Sequence, residues 1–224
     1  MPYQFTNISR CKPFGSRGRI RYTLMLMVLT LLLLGIAGCE KGAKLKIYNR
    51  TSYPVYAGAL GEAYTIPADS VLSLDISTSS TSIFNPDVGK YVTLDLVGET
   101  YQIWDSFLEA FVDSTYVWVD AGETTKVYID PNRASVKVLN HSTQWIKKII
   151  ISRGTLSGTL VTGYDVYLGP GAKWFKQVPP ADPSHNYYYI VQVQFENDDI
   201  ISFGSNTNVL HVDEQFLVTV PVQE

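Results

Sequence analysis

Ala43-Lys44-Leu45-Lys46-Ile47-Tyr48-Asn49-Arg50-Thr51 recurs 91 residues downstream as Ala134-Ser135-Val136-Lys137-Val138-Leu139-Asn140-His141-Ser142. Three residues are identical and the apolar positions coincide. The same offset lays Glu123-Thr124-Thr125-Lys126-Val127-Tyr128-Ile129 over Glu214-Gln215-Phe216-Leu217-Val218-Thr219-Val220, with Val127 on Val218 and Ile129 on Val220. Two ends that agree on one offset define an internal repeat. The chain therefore reads as one domain written twice, over residues 43–131 and 132–224.

Within each copy the apolar residues alternate with polar ones over short runs, turn residues stand between the runs, and no stretch has the period of a long helix. In the first copy Leu45 and Ile47 face one side and Lys46 and Tyr48 the other. Further runs cover 53–60 and, after the Pro67-Ala68-Asp69 turn, Val71–Ile76; Val92, Leu94 and Leu96 mark a central strand, and Val117, Val119, Val127 and Ile129 close the set. Residues 77–82, an unbroken tract of serine and threonine with Asn85-Pro86-Asp87 after it, read as an exposed loop. The second copy repeats the plan with a run over 145–151, a Gly169-Pro170-Gly171 turn, the alternation Tyr189, Val191, Val193, Phe195, and a last run carrying Phe216, Val218, Val220 and Val222. About seven short strands per ~90 residues predict an all-β protein of two tandem Greek-key, immunoglobulin-like β-sandwich domains. Asp130-Pro131-Asn132-Arg133 is the whole linker, and its proline imposes an extended path, so the sandwiches are expected end to end.

Upstream of the repeats, residues 1–38 hold five basic side chains (Arg10, Lys12, Arg17, Arg19, Arg21), no acidic one, and an apolar run over 24–34. A charged start, an apolar stretch and a small-residue exit form a secretory signal. Leu34-Gly35-Ile36-Ala37-Gly38-Cys39 resembles the lipobox of bacterial lipoprotein precursors. The resemblance implies cleavage before Cys39, a diacylglyceryl group on its thiol, and two or three acyl chains on the mature first residue. One acyl chain binds membranes only marginally, whereas two hold stably. Residues 39–42 would then be a lipidated tether, and the protein would sit in the bacterial cell envelope, on the periplasmic or surface-exposed side of a membrane. An uncleaved anchor over 22–38 has 17 residues and two glycines, the short edge for a core of ~30 Å, and no need of a cysteine there.

Removing the first 38 residues takes away five of 18 basic side chains and none of the 21 acidic ones, leaving 13 against 21 and a formal charge near −8. Such a surface disfavours nucleic acid as a partner. On the lipoprotein reading Cys11 would leave with the signal and Cys39 would be alkylated, so the mature chain is expected to have no disulfide and to be held by apolar burial.

Catalytic equipment is not apparent. His141, His185 and His211 are scattered, the last expected on the penultimate strand, and a zinc site needs three or four converging ligands. Ser157 in Gly154-Thr155-Leu156-Ser157-Gly158 is not a nucleophile elbow, and Gly169-Pro170-Gly171 lacks the later glycine and helix of a phosphate loop. The expectation is a non-enzyme with no metal and no cofactor beyond the covalent lipid. Asn197-Asp198-Asp199 reads as a hairpin turn rather than a calcium loop, and Asn49 and Asn140, although in glycosylation sequons, read as Asx-turn residues closing a strand.

Two features distinguish the copies. If Val117, Val119, Val127 and Ile129 face inward, Tyr116, Trp118 and Tyr128 face out, with Tyr48 outward on its own strand; pairing of the last two strands would gather the first three into one aromatic patch. Leu217, Thr219 and Leu139 stand there in the second copy. The first copy also carries about eight extra residues, placed within 104–112, where Phe107, Leu108, Phe111 and Val112 fit one face of a short helical turn. Tyr48, Tyr116, Trp118, Tyr128, Phe107 and Phe111 are thus the candidate binding residues. They point to a membrane-anchored adhesion or scaffold lipoprotein holding a protein partner, with a carbohydrate-binding accessory lipoprotein as the alternative and a hydrolase or pilus-type subunit behind both.

Overall fold

The computed structural model describes Met27 and residues 42–78, 89–155 and 158–222. The apolar run over 24–34 (Met27 excepted), Cys39 with its lipobox, most of the serine and threonine loop with Asn85-Pro86-Asp87, and Ser157 lie outside the described residues. From residue 42 onward every regular element described is a strand.

Domain 1 holds β1 (Ala43–Asn49), β2 (Val55–Ala59), β3 (Glu62–Ile66), β4 (Val71–Ile76), β5 (Lys90–Gly98), β6 (Ile103–Asp105), β7 (Ala110–Val112), β8 (Ser114–Val119) and β9 (Thr124–Ile129). Domain 2 holds β10 (Ala134–Asn140), β11 (Ile146–Thr155), β12 (Gly158–Leu168), β13 (Lys173–Val178), β14 (Tyr188–Phe195), β15 (Ile200–Phe203) and β16 (Gln215–Val220). Each domain is a sandwich of a three-stranded and a four-stranded sheet: β4-β1-β9 against β3-β2-β5-β8, and β13-β10-β16 against β12-β11-β14-β15. In both, the first strand lies between an antiparallel neighbour and the last strand, which runs parallel to it. The plan is the two-sheet Greek key; in antibody domains, by contrast, the first, second, fifth and fourth strands share a sheet.

Alternation builds the cores. Leu45, Ile47, Leu94, Leu96 and Ile129 are buried in one cluster, and Val136, Val138, Ile149, Tyr189, Val193 and Phe195 in another; the two clusters share no residue. A large apolar side chain so buried contributes roughly 1.5–3 kcal/mol, and burial of this kind holds each sandwich without a cross-link.

Asn49 and Asn140 explain why the repeat motif ends in Asn-x-Thr/Ser. Asn49 Nδ2 donates to the carbonyls of Tyr53, Ile66 and Pro67, at 2.8, 3.1 and 2.9 Å, while its Oδ1 accepts from Thr51 N and Oγ1. Asn140 donates to Gln144 O and Leu168 O, both at 2.9 Å, and accepts from Ser142 N and Oγ. Each ties the end of the first strand to the start of the second and to the exit of the third. Both are sealed from solvent, at 1% and 0% exposure, so neither offers its amide to a glycan.

The joint departs from the end-to-end expectation: an end of domain 1 rests on the outer face of β13-β10-β16. Glu99, only 1% exposed, accepts from Lys137 Nζ at 2.8 and 2.9 Å and from Gln215 Nε2 at 2.6 Å. Tyr56 stacks on Phe175 at 5.9 Å, and Gln177 Nε2 donates to Gly98 O at 2.7 Å. A second clamp forms where Asp213 accepts from Thr100 Oγ1 at 2.6 Å and from Ser52 N and Oγ at 2.9 and 2.8 Å. A short linker sets the reach, but a buried carboxylate needs its cation and donors, and these lie on a sheet face of domain 2.

Candidate functional site

The open face of β3-β2-β5-β8 presents aromatic rings that no element among the described residues covers. Cross-strand register sets Tyr91 opposite Trp118 and Thr93 opposite Tyr116. The Tyr91 and Trp118 rings meet edge to face, 4.9 Å apart at 66°. Tyr91 is 69% exposed, Trp118 40% and Tyr116 71%. Trp118 is also anchored: its Nε1–H donates to Asp120 Oδ1 at 2.7 Å, and its ring lies over Gly89, where a Cβ would stand 2.8 Å from ring carbons. A held, half-exposed tryptophan beside two tyrosines suits stacking or hot-spot contact. Tyr91 escaped the list of candidate residues although a signal existed, because Val92, Leu94 and Leu96 facing inward puts Tyr91 outward.

The predicted grouping of Tyr116, Trp118 and Tyr128 does not form. Outward facing was read correctly, but β8 pairs with β5 and β9 pairs with β1, in opposite sheets. Tyr116 and Trp118 therefore stand on one side of domain 1 and Tyr128 on the other. There Tyr128 stacks on Tyr48, in register, at 5.0 Å, with the Arg50 guanidinium 4.8 Å above the Tyr128 ring and ion-paired to Asp130.

The extra segment is a hairpin, β6-β7, not a helical turn. Ile103 is buried and Val112 packs on the core, so the strand period of two governs it. Asp105 Oδ1 accepts from Phe107 N and Leu108 N at 2.8 and 3.0 Å, and Glu109 takes a left-handed φ of 48° to close the loop. Phe107 at the tip is 91% exposed, whereas Phe111 packs edge-on against Trp104 at 4.9 Å and lies under the Arg133 guanidinium at 4.5 Å. Thus Phe111 belongs to the joint and Phe107 to the free surface.

Among the described residues, no three His, Cys, Asp or Glu side chains gather in a group fit to hold a metal ion. His211 is not on the penultimate strand, which is β15; it lies in the loop before β16 and its N–H donates to Glu214 Oε2 at 2.7 Å. His185 stands 3.3 Å from Asp182, whose carboxyl is held below the usual carboxylate range chiefly by the backbone N–H of Ser184. Asn197, Asp198 and Asp199 form the β14–β15 hairpin turn, with Asp198 at φ 72°. Asp198 accepts from Lys147 and Gln194, and the hydrogen bond from Lys147, followed by its charge, draws the Asp198 carboxyl down.

The class these sheets define is a two-domain, all-β tandem sandwich. No family profile matches the chain, and no curated protein does so significantly. Among solved structures, proteins provisionally assigned to cell adhesion from Bacteroides uniformis and Bacteroides ovatus are similar, at TM-scores of 0.32 and 0.31 and identities of 8% and 9%. The matches cover 82% and 79% of this chain and 94% and 92% of those chains. The Bacillus anthracis TIE protein matches with a TM-score of 0.27 and 10% identity over 81% of this chain and 34% of its own, so the chain spans about a third of that protein's length. All these scores are too low to carry a functional argument.

Proposed function

We propose that the protein is a non-catalytic lipoprotein of the bacterial cell envelope, tethered through Cys39, that holds a protein partner on the outer face of domain 1. The observation behind this reading is the Tyr91-Trp118-Tyr116 row, exposed together on a sheet face with its tryptophan held in place. Exposed apolar patches on a folded domain mark contact sites, and tryptophan and tyrosine dominate the energetics of such contacts. Phe107, at the tip of the domain 1 hairpin, adds an anchor that no core contact requires.

The test is recovery of cross-linked complexes from intact envelopes carrying the Tyr91→Ala/Trp118→Ala protein. Loss of a specific protein adduct that the unaltered chain forms supports the reading; undiminished capture refutes it. The glycan alternative uses the same rings differently: a polysaccharide would quench Trp118 fluorescence while the protein adduct stayed unchanged.

A further inference from the structure

The joint-facing end of domain 2 has a chemistry that the aromatic face lacks. There the inward rows of its strands stop being apolar: β11 continues Ile149 and Ile151 with Arg153, β13 sets Lys176 between Trp174 and Val178, and Arg133 enters just ahead of β10. With Tyr164 and Tyr189 these side chains line a half-open cavity of about 210 Å³ between the two sheets, with Lys176 at its exposed rim.

Three cations line this cavity and no acid answers them. Among the described residues no ion pair reaches Arg133, Arg153 or Lys176. The Nε atoms of Arg133 and Arg153 are shielded from solvent and have no hydrogen-bond partner. An unpaired buried donor on a charged group is costly, and the chain has 21 acidic residues from which a partner was not supplied. Inward-pointing charge protects an edge strand from mispairing. That accounts for Lys176 on β13, an edge, but not for Arg153, because β11 lies between β12 and β14. Each guanidinium instead has one face covered by a ring, Arg153 over Tyr187 at 4.6 Å and Arg133 over Phe111 at 4.5 Å. A ring on the face leaves the planar edge, with its fork of N–H donors, for an oxyanion.

We infer that this cavity binds the oxyanion, carboxylate or phosphate, of a small organic acid. Its volume of about 210 Å³ is below the ~300 Å³ at which drug-sized pockets begin, and holds a body of about one sugar ring, the rest of any larger acid lying outside its mouth. The tyrosine rings and Ile151 form the apolar wall for that body, and Tyr189, whose phenol burial holds un-ionised far above its ordinary range, adds no negative charge. The site is separate from the aromatic face, so either can fail without the other.

Thermal melts of the full chain in D-glucuronate, inorganic phosphate and chloride at equal ionic strength test it, with glucose as the neutral control. Glucuronate or phosphate should raise the melting temperature saturably, and whichever acts names the source of the oxyanion. In Arg153→Leu/Lys176→Met the melting temperature in chloride should hold or rise, since like charges are removed, while the saturable response disappears. Should that variant not fold, Arg153→Lys keeps the charge without the fork and should weaken calorimetric binding roughly tenfold or more. No saturable response to either anion, or the same response in the variants, overturns the inference.

Discussion

Domain 1 and domain 2 share a scaffold and differ in what was added to it. On the open face of β5 and β8, domain 1 sets Tyr91, Trp118 and Tyr116; on the matching face of β14 and β15, domain 2 sets Gln192 and Gln194 with Ser202 and Ile200, no aromatic ring among them, and Gln192 donates to Ser202 at 3.2 Å. Conversely, β2 and β3 have five residues each, whereas β11 and β12 have 10 and 11, and that extension brings Arg153 into domain 2. The strand pairings and the asparagine anchors are common, so they belong to the fold. Among the described residues the Tyr91-Trp118-Tyr116 row, the extra hairpin and the cationic cavity have no counterpart at the matching place in the other copy, so the fold does not require them; domain 2 has a different exposed aromatic pair, Trp145 and Tyr167, 4.6 Å apart.

The joint offers the harshest way to break this comparison. Lys137→Ala leaves Glu99 buried without its cation, and removing one partner of a buried pair costs about 3 to 5 kcal/mol. Urea unfolding should fall by that amount, and the two sandwiches should separate into distinct transitions. A single unshifted transition would mean that the joint does not couple them.

Next in size are Asn49→Ala and Asn140→Ala. Each strands buried carbonyls, and each should cost about 2 to 3 kcal/mol in chemical denaturation. Similar losses in the two domains sharpen the claim of duplication. A loss confined to one would show that the motif serves only that copy.

A pH titration separates the domains more gently. Burial raises the Tyr189 phenol of domain 2 above its ordinary value. Its contribution to stability is therefore complete below about pH 10, where the unfolded phenol is also protonated, and falls as pH climbs beyond. Circular dichroism should show alkaline unfolding that flattens in Tyr189→Phe, even though that variant loses the hydrogen bond to Pro179 O.

Smallest in stability is Tyr91→Ala/Trp118→Ala, at about 1 kcal/mol for an exposed aromatic pair, measured by the same denaturation. Partner capture, by contrast, should be lost. That separation of stability from binding marks a display surface.

The inward rows were legible because a period of two is local: Leu45 and Ile47, or Tyr189 through Phe195, need only their own strand to declare a face. Which strands share a sheet is decided by contacts dozens of residues apart, so the split of Trp118 from Tyr128 carried no local signal. The hairpin at 103–112 was misread because Phe107, Leu108, Phe111 and Val112 satisfy a helical spacing as well as a turn between strands. Its left-handed residue is Glu109, where a glycine would have marked the turn. Glu99, Arg133, Arg153 and Lys176 come from separate strands and loops, and no spacing in the chain announces that they form a joint and a cavity.

Photo-cross-linking in intact bacteria tests the central claim most directly, with a photoreactive residue at Tyr116 on the domain 1 face and, in parallel, at Gln192 on the matching face of domain 2. A discrete protein adduct from position 116, absent from position 192 and abolished when Trp118→Ala is added, is the predicted result. Equal adducts from both faces, or none from position 116, would contradict it.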